Sequence, residues 1–325
     1  MTKIYTDPNF DIKDFISYVT ANGLQKYFYE IYHASFFLCL IPRNIKEEIL
    51  SKFNRENKTA FDSILNVHQE FCQSIEECDY VLLPPTPLGV TRTKCLLEWK
   101  PLIQEAKKYG KKVIMMLGDD SESPFPISKD LGIVFRCSGF SSESEDNIRG
   151  LPTTNSDIFR GKYLPKQLSI GFCGKITHPK RKLLVETFME QFPEECDISI
   201  RLQPRGNNIP ENRKGYFKNL HNNLYGLCAR GGGNFSFRLG ELLMMGRIPI
   251  LLDTDCLLPF RESIPYETNC IFITENDLPR VREIVTDFHE RHSEEDLIRI
   301  QKENRSLWEE YFTPKGIFNH IIQML

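Results

Sequence analysis

The feature that most constrains the fold is a nearly unbroken apolar run, KVIMML at Lys112–Leu117. A strand that is buried on both faces has this pattern, because neither face needs polar side chains. A shorter apolar run at residues 80–83 precedes it, and residues 96–109 between the two have helical spacing and end at Gly110, a helix stop signal. Strand, helix and strand at this spacing predict a right-handed βαβ unit, which requires a parallel sheet.

A second series of the same kind follows residues 118–166, which are rich in Ser, Pro, Gly and Asp and contain one further strand candidate at Gly132–Arg136. The later pattern predicts strands at 168–173, 197–202 and 247–252, a short element at 222–228, and helices at 181–192, 235–245, 281–292, 294–311 and 313–325. Pro249 is awkward inside its strand, because proline cannot donate to a sheet ladder. A position near the start of the strand would resolve this conflict.

The two series predict two α/β domains. We place the first in residues 1–162, joined by a final helix at about 313–325, and the second in residues 163–312. A chain of 325 residues allows each domain to bury its own core.

Composition excludes several classes of protein and partner. The net charge of −3 gives no overall field that would favour nucleic acid. No run of about 18 apolar residues predicts a transmembrane helix, and the stretch at residues 34–42 does not have the form of a signal peptide. Ten cysteines without a C-x-x-C pair fit reduced thiols, so we expect a cytoplasmic protein.

The most informative segment is a glycine-rich loop, Gly231 to Gly233, that leads into a helix. Glycines allow a backbone to approach a ligand closely, and a helix N-terminus offers free N–H groups to a phosphate. Arg238 adds a cation with a fork of donors, and Glu241, three residues on, lies on the same face and suits the hydroxyls of a ribose. A simple turn followed by an ordinary surface ion pair remains the alternative interpretation.

This segment resembles the C-terminal block of exostosin-like glycosyltransferases. The matching residues are Tyr225-Gly-Leu-Cys228, Ser236-Phe-Arg238-Leu-Gly-Glu241, Gly246-Arg-Ile-Pro249-Ile, Asp253 and Leu258-Pro-Phe260. The resemblance implies an α/β fold of the GT-B type, in which two Rossmann-like domains face a cleft and the C-terminal helix crosses back to the N-terminal domain. It also implies that Arg238 holds the diphosphate of a nucleotide-sugar donor and that Glu241 holds the ribose.

The same resemblance implies an inverting transfer from a UDP-sugar to a hydroxyl of a glycan or oligosaccharide acceptor, with no metal or other cofactor required. We include the rest of the loop in the predicted donor site, namely Gly232, Gly233, Asn234 and Ser236. A fucosyltransferase-like GT-B enzyme that uses GDP-fucose is an alternative, and so is a nucleotide- or carbohydrate-binding protein without catalysis.

Two weaker resemblances lie upstream. Phe172-Cys-Gly174 with the basic residues Lys175 and Arg181 is similar to the family loop that faces the pyrophosphate, so both cations join the predicted donor site. A solvated, lysine-rich start of a helix is the alternative. The strand at Lys112–Leu117 resembles a family strand that ends in His-Asp-x-Gly, but here Gly118 stands in place of the histidine.

An inverting transferase needs a general base for the acceptor hydroxyl. Asp119 and Asp120 are our candidates, because they follow a predicted parallel strand at its carboxyl end, where such sheets place their sites. A polar turn is the alternative interpretation. His33 is a second candidate for the base, although a lone histidine before an apolar run is more often structural.

A possible metal motif is Asp253-Thr-Asp255, which follows a predicted strand. Two carboxylates in this arrangement hold Mn²⁺ or Mg²⁺ in the GT-A fold of glycosyltransferases. We do not expect a metal here, because the exostosin-like pattern has one aspartate and no required metal at this place. His289 and His292 are spaced for one helix face, and we expect that face to be solvated.

Overall fold

A computed structural model describes residues 2–6, 72–83, 92–117, 120–122, 128–144, 146–153, 157–201 and 209–325. The chain divides into two compact units. Unit 1 contains Met1–Gly139, Glu143–Ser156 and Glu310–Leu325, and unit 2 contains Phe140–Ser142 and Asp157–Glu309. The chain therefore passes into unit 2 at residue 157, a few residues before the predicted boundary at 162, and returns to unit 1 at its C-terminal end.

Unit 1 contains a five-stranded sheet in which all pairs are parallel and the strands follow chain order. The strands are β1 (Ile4–Thr6), β2 (Tyr80–Leu82), β3 (Lys112–Leu117), β4 (Gly132–Arg136) and β5 (Ile148–Gly150). Helix α1 (Arg92–Lys108) lies between β2 and β3 in the chain, which confirms the predicted βαβ unit. As the apolar run predicts, β3 is buried at every residue after Lys112.

The last helix of the chain, α8 (Pro314–Met324), belongs to unit 1. Thr313 is its N-cap and accepts a hydrogen bond from the N–H of Gly316 (3.1 Å), while Pro314 occupies the first turn, as the sequence predicts. At the other end, the hydroxyl of Tyr80 donates to the carbonyl of Leu325. The helix is thus tied to the sheet of the N-terminal unit, as the GT-B resemblance implies.

Unit 2 contains a second parallel sheet of five strands, in the order β10-β9-β8-β6-β7. Its elements are β6 (Ile170–Gly174), α2 (Pro179–Gln191), β7 (Cys196–Ile200), α3 (Ile209–Asn222), β8 (Tyr225–Cys228), α4 (Phe237–Met244), β9 (Ile248–Leu252), α5 (Tyr266–Asn269), β10 (Ile271–Ile273), α6 (Val281–Arg291) and α7 (Glu294–Tyr311). The strand order changes direction between β6 and β8. Doubly wound sheets bind ligands at such a switch point, outside the carboxyl ends of the strands.

Pro249 occupies an inner strand, and the structure shows how its missing N–H is replaced. The N–H of Asp253 donates to the carbonyl of Ile273 (2.7 Å), and the alternation along β9 directs the nitrogen of Pro249 to the carbonyl of Asn269. That carbonyl accepts instead from Nδ2 of Asn304, on α7 (3.1 Å). A side chain therefore satisfies the acceptor that proline leaves without a ladder bond.

Helix α4 packs very closely on β8, because a glycine lies at the contact. A Cβ atom at Gly226 would lie 2.2 Å from Cδ2 of Leu242, which is buried. The glycine thus lets the helix approach the strand and fixes the position of the first turn of α4, where Arg238 lies.

Within the described ranges, none of the helices combines the length and apolar character needed to cross a membrane.

Candidate functional site

The carboxyl ends of β6 and β8 bring the predicted donor-site residues of both sequence blocks together. Lys175 follows β6 directly, and Arg181 lies in the first turn of α2. Arg238 and Glu241 lie on α4, which follows β8. Sequence positions about sixty residues apart therefore meet at the switch point of the sheet, where a doubly wound fold places its ligand.

Arg238 is the centre of this site, and only 7% of it is exposed. Its Nη2 donates to the carbonyl of Cys173, on β6. Its guanidinium carbon lies 4.9 Å from the ring centroid of Phe172 and 4.9 Å from that of Tyr216. Its Nη1 is buried and has no hydrogen-bond partner within the part of the chain that the structure describes. A buried guanidinium with an unused donor is costly unless a ligand supplies an acceptor.

Arg181 is the second cation of the site. Its Nη1 donates to the carbonyl of Lys175 (3.2 Å), and its Nη2 donates to the carbonyl of Ala229 (2.7 Å). Burial lowers the pKa of Arg181, and the nearby positive charge of Arg238 lowers it further. Two guanidinium groups that repel each other here create a positive potential, which an anion would relieve.

Glu241 lies one turn after Arg238 and shares its face of α4, as predicted. Its Oε2 accepts a hydrogen bond from the hydroxyl of Tyr216, on α3. The ring of Tyr216 also covers Arg238. Tyr216 is a site residue that sequence reasoning missed.

The glycine-rich loop folds partly on itself. The N–H of Gly231 donates to the carbonyl of Phe235 (2.9 Å), and the N–H of Phe235 donates to that of Gly233 (2.9 Å). A Cβ atom at Gly231 would lie 3.4 Å from Nη2 of Arg181, so this glycine gives the arginine room. Gly232 is exposed, and Gly233 is buried.

The two polar residues after the glycines differ in their contacts. Asn234 is fully buried and exchanges two hydrogen bonds with Thr254: its Nδ2 donates to the carbonyl (3.0 Å), and its Oδ1 accepts from the hydroxyl (2.8 Å). Its amide thus fastens the loop to the residues after β9. Ser236 is the N-cap of α4, but its hydroxyl makes no capping bond.

The candidates for the catalytic base belong to the N-terminal part of the chain. Asp120 is exposed and follows β3 in unit 1, and its carbonyl accepts from the hydroxyl of Ser138 (3.2 Å). Asp119 and His33 lie outside the described residues.

The Asp-x-Asp motif forms a turn in unit 2. The carboxylate of Asp253 accepts from the N–H of Asp255 (2.8 Å), as in an Asx-turn. Asp255 has a positive φ of 56°, and its carboxylate accepts from both the N–H (3.0 Å) and the hydroxyl of Ser142. In the described ranges, no group of three or more His, Cys, Asp or Glu side chains is arranged to hold a metal ion.

The predicted solvated face of the two histidines is wrong. His289 is half-buried on α6, and its Nδ1 lies 2.9 Å from the hydroxyl of Tyr225, the first residue of β8. His292 places its Nδ1 2.7 Å from the carbonyl of Phe288. Both rings make polar contacts within unit 2, because the apolar face of α6 packs on the sheet.

Part of the chain is similar to known proteins. Residues 143–288 match the family model of the exostosin GT47 domain, which confirms the resemblance that the sequence predicts. A probable glucuronosyltransferase of rice (Oryza sativa subsp. japonica) and a probable β-1,4-xylosyltransferase of Arabidopsis thaliana are each 34% identical over 71 residues. Each match covers 22% of this chain and only 17% of the length of the relative.

Two solved structures have a distant likeness to this chain. One is a glycosyltransferase involved in avilamycin A biosynthesis, with 11% identity, 82% of this chain and 86% of that chain covered, and a TM-score of 0.38. The other is an α1,3-fucosyltransferase, with 12% identity, 99% and 88% coverage, and a TM-score of 0.39. The predicted α/β class is confirmed by the two parallel sheets themselves.

Proposed function

We propose that this chain is a glycosyltransferase that moves a sugar from a nucleotide-sugar donor, a UDP-sugar, to a hydroxyl of a glycan acceptor with inversion and without a required metal. The proposal rests on the burial, position and hydrogen bonding of Arg238. It is buried, it lies at the switch point of the sheet, and its Nη1 has no acceptor among the described residues.

A diphosphate fits this arrangement better than a neutral ligand. Arg238 and Arg181 supply two adjacent positive charges, and the first turn of α4 adds the positive end of a helix dipole. Phosphate oxygens accept from guanidinium groups in a bidentate manner. Glu241, on the same face of α4, then provides acceptors for the hydroxyls of the ribose.

The same groups would assist the reaction. In the transfer, the bond from the anomeric carbon to the diphosphate oxygen breaks, and its electron pair stays on the diphosphate. The acceptor oxygen forms the new bond to that carbon from the opposite face and gives its proton to a base. Arg238 and Arg181 would stabilise the negative charge that develops on the leaving diphosphate, which is the larger electrostatic demand of the step.

For the base we propose Asp119 or Asp120. Both follow the carboxyl end of β3, the place where parallel sheets carry their sites. Replacing the base by asparagine would remove turnover but leave nucleotide binding unchanged, whereas a protein that only binds nucleotide would show no turnover to lose.

The names of the similar proteins suggest which donors to try first. One is a probable glucuronosyltransferase and another a probable xylosyltransferase. We therefore propose a glucuronosyl or xylosyl donor as the first substrates for assay, in the form of the corresponding UDP-sugars.

The experiment is a thermal-shift panel of UDP, GDP, CMP and ADP, each with and without EDTA. A ligand at about 100 times its dissociation constant stabilises a native state by roughly 2.7 kcal/mol, which is a measurable shift. We expect a shift selective for UDP that EDTA does not change. A shift selective for GDP would favour the fucosyltransferase-like alternative, and a shift that needs metal would contradict metal independence. No shift with any nucleotide would contradict the proposal.

A second measurement separates transfer from binding. The UDP-sugar that shifts the melting temperature is incubated with the protein and a panel of oligosaccharides, and UDP release is followed with time. Release that depends on the oligosaccharide supports a transferase. Nucleotide binding without any release would support a binding protein that lacks catalysis.

A further inference from the structure

Tyr216 contacts three charged side chains at or beside the proposed donor site. Its hydroxyl donates to Oε2 of Glu241, and the guanidinium carbon of Arg238 lies 4.9 Å from its ring centroid. A second guanidinium, that of Arg201 at the carboxyl end of β7, lies 5.6 Å from the same centroid. One aromatic side chain thus links β7, α3 and α4.

We infer that Tyr216 is a positioning residue that holds Glu241 and Arg238 in one fixed arrangement, so that the ribose and the diphosphate of a donor nucleotide are recognised together. This inference rests on the proposed function. It concerns a residue that touches the binding groups and acts through them.

The hydrogen bond to Glu241 fixes the carboxylate without exhausting it. A carboxylate has two oxygens and about four lone-pair sites, so it can accept from one phenol and still accept from the hydroxyls of a ribose. A hydrogen bond to an ionised acceptor is stronger than one between neutral groups, so the phenol restricts the rotamer of a half-buried glutamate. A glutamate held in this way loses less conformational entropy when a ligand binds.

The ring acts differently on Arg238. Rings attract a guanidinium through its flat face and leave its N–H groups in the plane available for hydrogen bonds. Phe172 and Tyr216 therefore hold the cation in place by contacts that consume none of its donors. The donors remain for the carbonyl of Cys173 and for an anionic ligand.

The test separates the hydroxyl of Tyr216 from its ring. Tyr216→Phe keeps the ring over Arg238 and removes the hydroxyl that bonds to Glu241. The dissociation constants of UDP and of 2′,3′-dideoxy-UDP are measured by calorimetry for the unchanged protein and for the variant. We expect the unchanged protein to bind UDP roughly tenfold more tightly than the dideoxy analogue, because one hydrogen bond to a charged group is worth about this factor in affinity. The variant should bind the two nucleotides with nearly equal affinity.

Tyr225→Phe is the matched control, because it removes a buried phenol hydroxyl that bonds to His289 instead of Glu241. It should keep the tenfold preference. A preference that survives unchanged in Tyr216→Phe would overturn the inference while leaving the proposed function standing. Failure of the unchanged protein to bind UDP would overturn both.

A double-mutant cycle gives a second, independent readout. We expect Tyr216→Phe to weaken UDP binding in the unchanged background and to have no further effect in a Glu241→Ala background, because the hydroxyl acts through that carboxylate. Additive losses from the two substitutions would contradict a positioning role. The cycle also distinguishes positioning from a general loss of stability. A general loss would lower the affinity for UDP in both backgrounds, whereas positioning through Glu241 lowers it only where Glu241 is present.

Discussion

Nη2 of Arg181 donates to the carbonyl of Ala229 over 2.7 Å, which ties the first turn of α2 to the end of β8. Nη1 of the same side chain donates to the carbonyl of Lys175, just after β6. One guanidinium therefore joins the carboxyl ends of the two strands between which the order of the sheet changes direction. The switch point of unit 2 is held together by a cation of the proposed donor site.

The first prediction concerns this link. Arg181→Lys keeps the positive charge but loses the planar fork that reaches two carbonyls. We expect UDP to bind roughly tenfold more weakly, because the loop ends are no longer fixed around the diphosphate. Calorimetry on this variant and on Arg299→Lys, at an exposed position on α7, measures the effect. Equal affinities in the two variants would show that Arg181 has no such role.

The second prediction concerns Arg247, which is fully buried in unit 2. Its guanidinium donates to the carbonyls of Leu220 (3.0 Å) and His221 (3.1 Å), and burial lowers its pKa to about 10, so it is still charged at neutral pH. Arg247→Met would leave these carbonyls without a partner and should lower the free energy of unfolding by about 3 kcal/mol. Urea unfolding tests this.

The matched control for Arg247 is Arg299→Met, which removes only exposed ion pairs on α7. It should change the free energy of unfolding by less than about 0.5 kcal/mol. A loss as small as this in Arg247→Met would mean that the buried guanidinium is not a structural support.

The third prediction is a pH dependence from His289. Burial lowers the pKa of His289 below its ordinary value of 6.5, and the charge of Lys166 acts in the same direction. Above pH 6.5 the imidazole is neutral in both the folded and the unfolded states, and its contribution to stability is complete. As the pH falls from 6.5 through the lowered pKa, the unfolded state binds the proton first, so stability is lost.

Urea unfolding of the unchanged protein and of His289→Gln between pH 7.5 and pH 5 measures this effect. The free energy of unfolding should fall less steeply with acid in the variant. Parallel pH profiles for the two proteins would show that protonation of His289 does not contribute.

The fourth prediction separates a structural Asp255 from a metal ligand. Asp255→Ala removes the bonds to Ser142 and places alanine at a positive φ, so we expect a loss of about 2 kcal/mol in stability. Asp255→Asn tolerates this φ and should lose less. If Mn²⁺ stabilised the unchanged protein against heat but not Asp255→Asn, the residue would be a metal ligand after all.

Much of the fold follows from the sequence, because the long elements have clear periodicity and clear ends. The helix predicted at residues 294–311 is α7, and the predicted strand at Gly132–Arg136 is β4. Short strands were missed: β1, β5 and β10 have three residues each, too few to show a period. Their positions are decided by pairing with longer neighbours.

The site was predictable only where it lies in a motif. Arg238 and Glu241 could be found because one helix carries both of them after a glycine-rich loop. Tyr216 could not, since α3 contains Pro210 and Gly215, which weaken a helical pattern, and its contacts with α4 arise only from tertiary packing. The burial of Asn234 against Thr254 has the same origin.

The most direct test of the central claim is the affinity of UDP for the unchanged protein, for Arg238→Ala and for the surface variant Arg299→Ala, measured by calorimetry in the presence of EDTA. We expect Arg299→Ala to bind UDP like the unchanged protein and Arg238→Ala to bind it at least roughly tenfold more weakly, because a hydrogen bond to a charged group is lost. The same affinity for UDP in Arg238→Ala and in the unchanged protein would contradict the central claim.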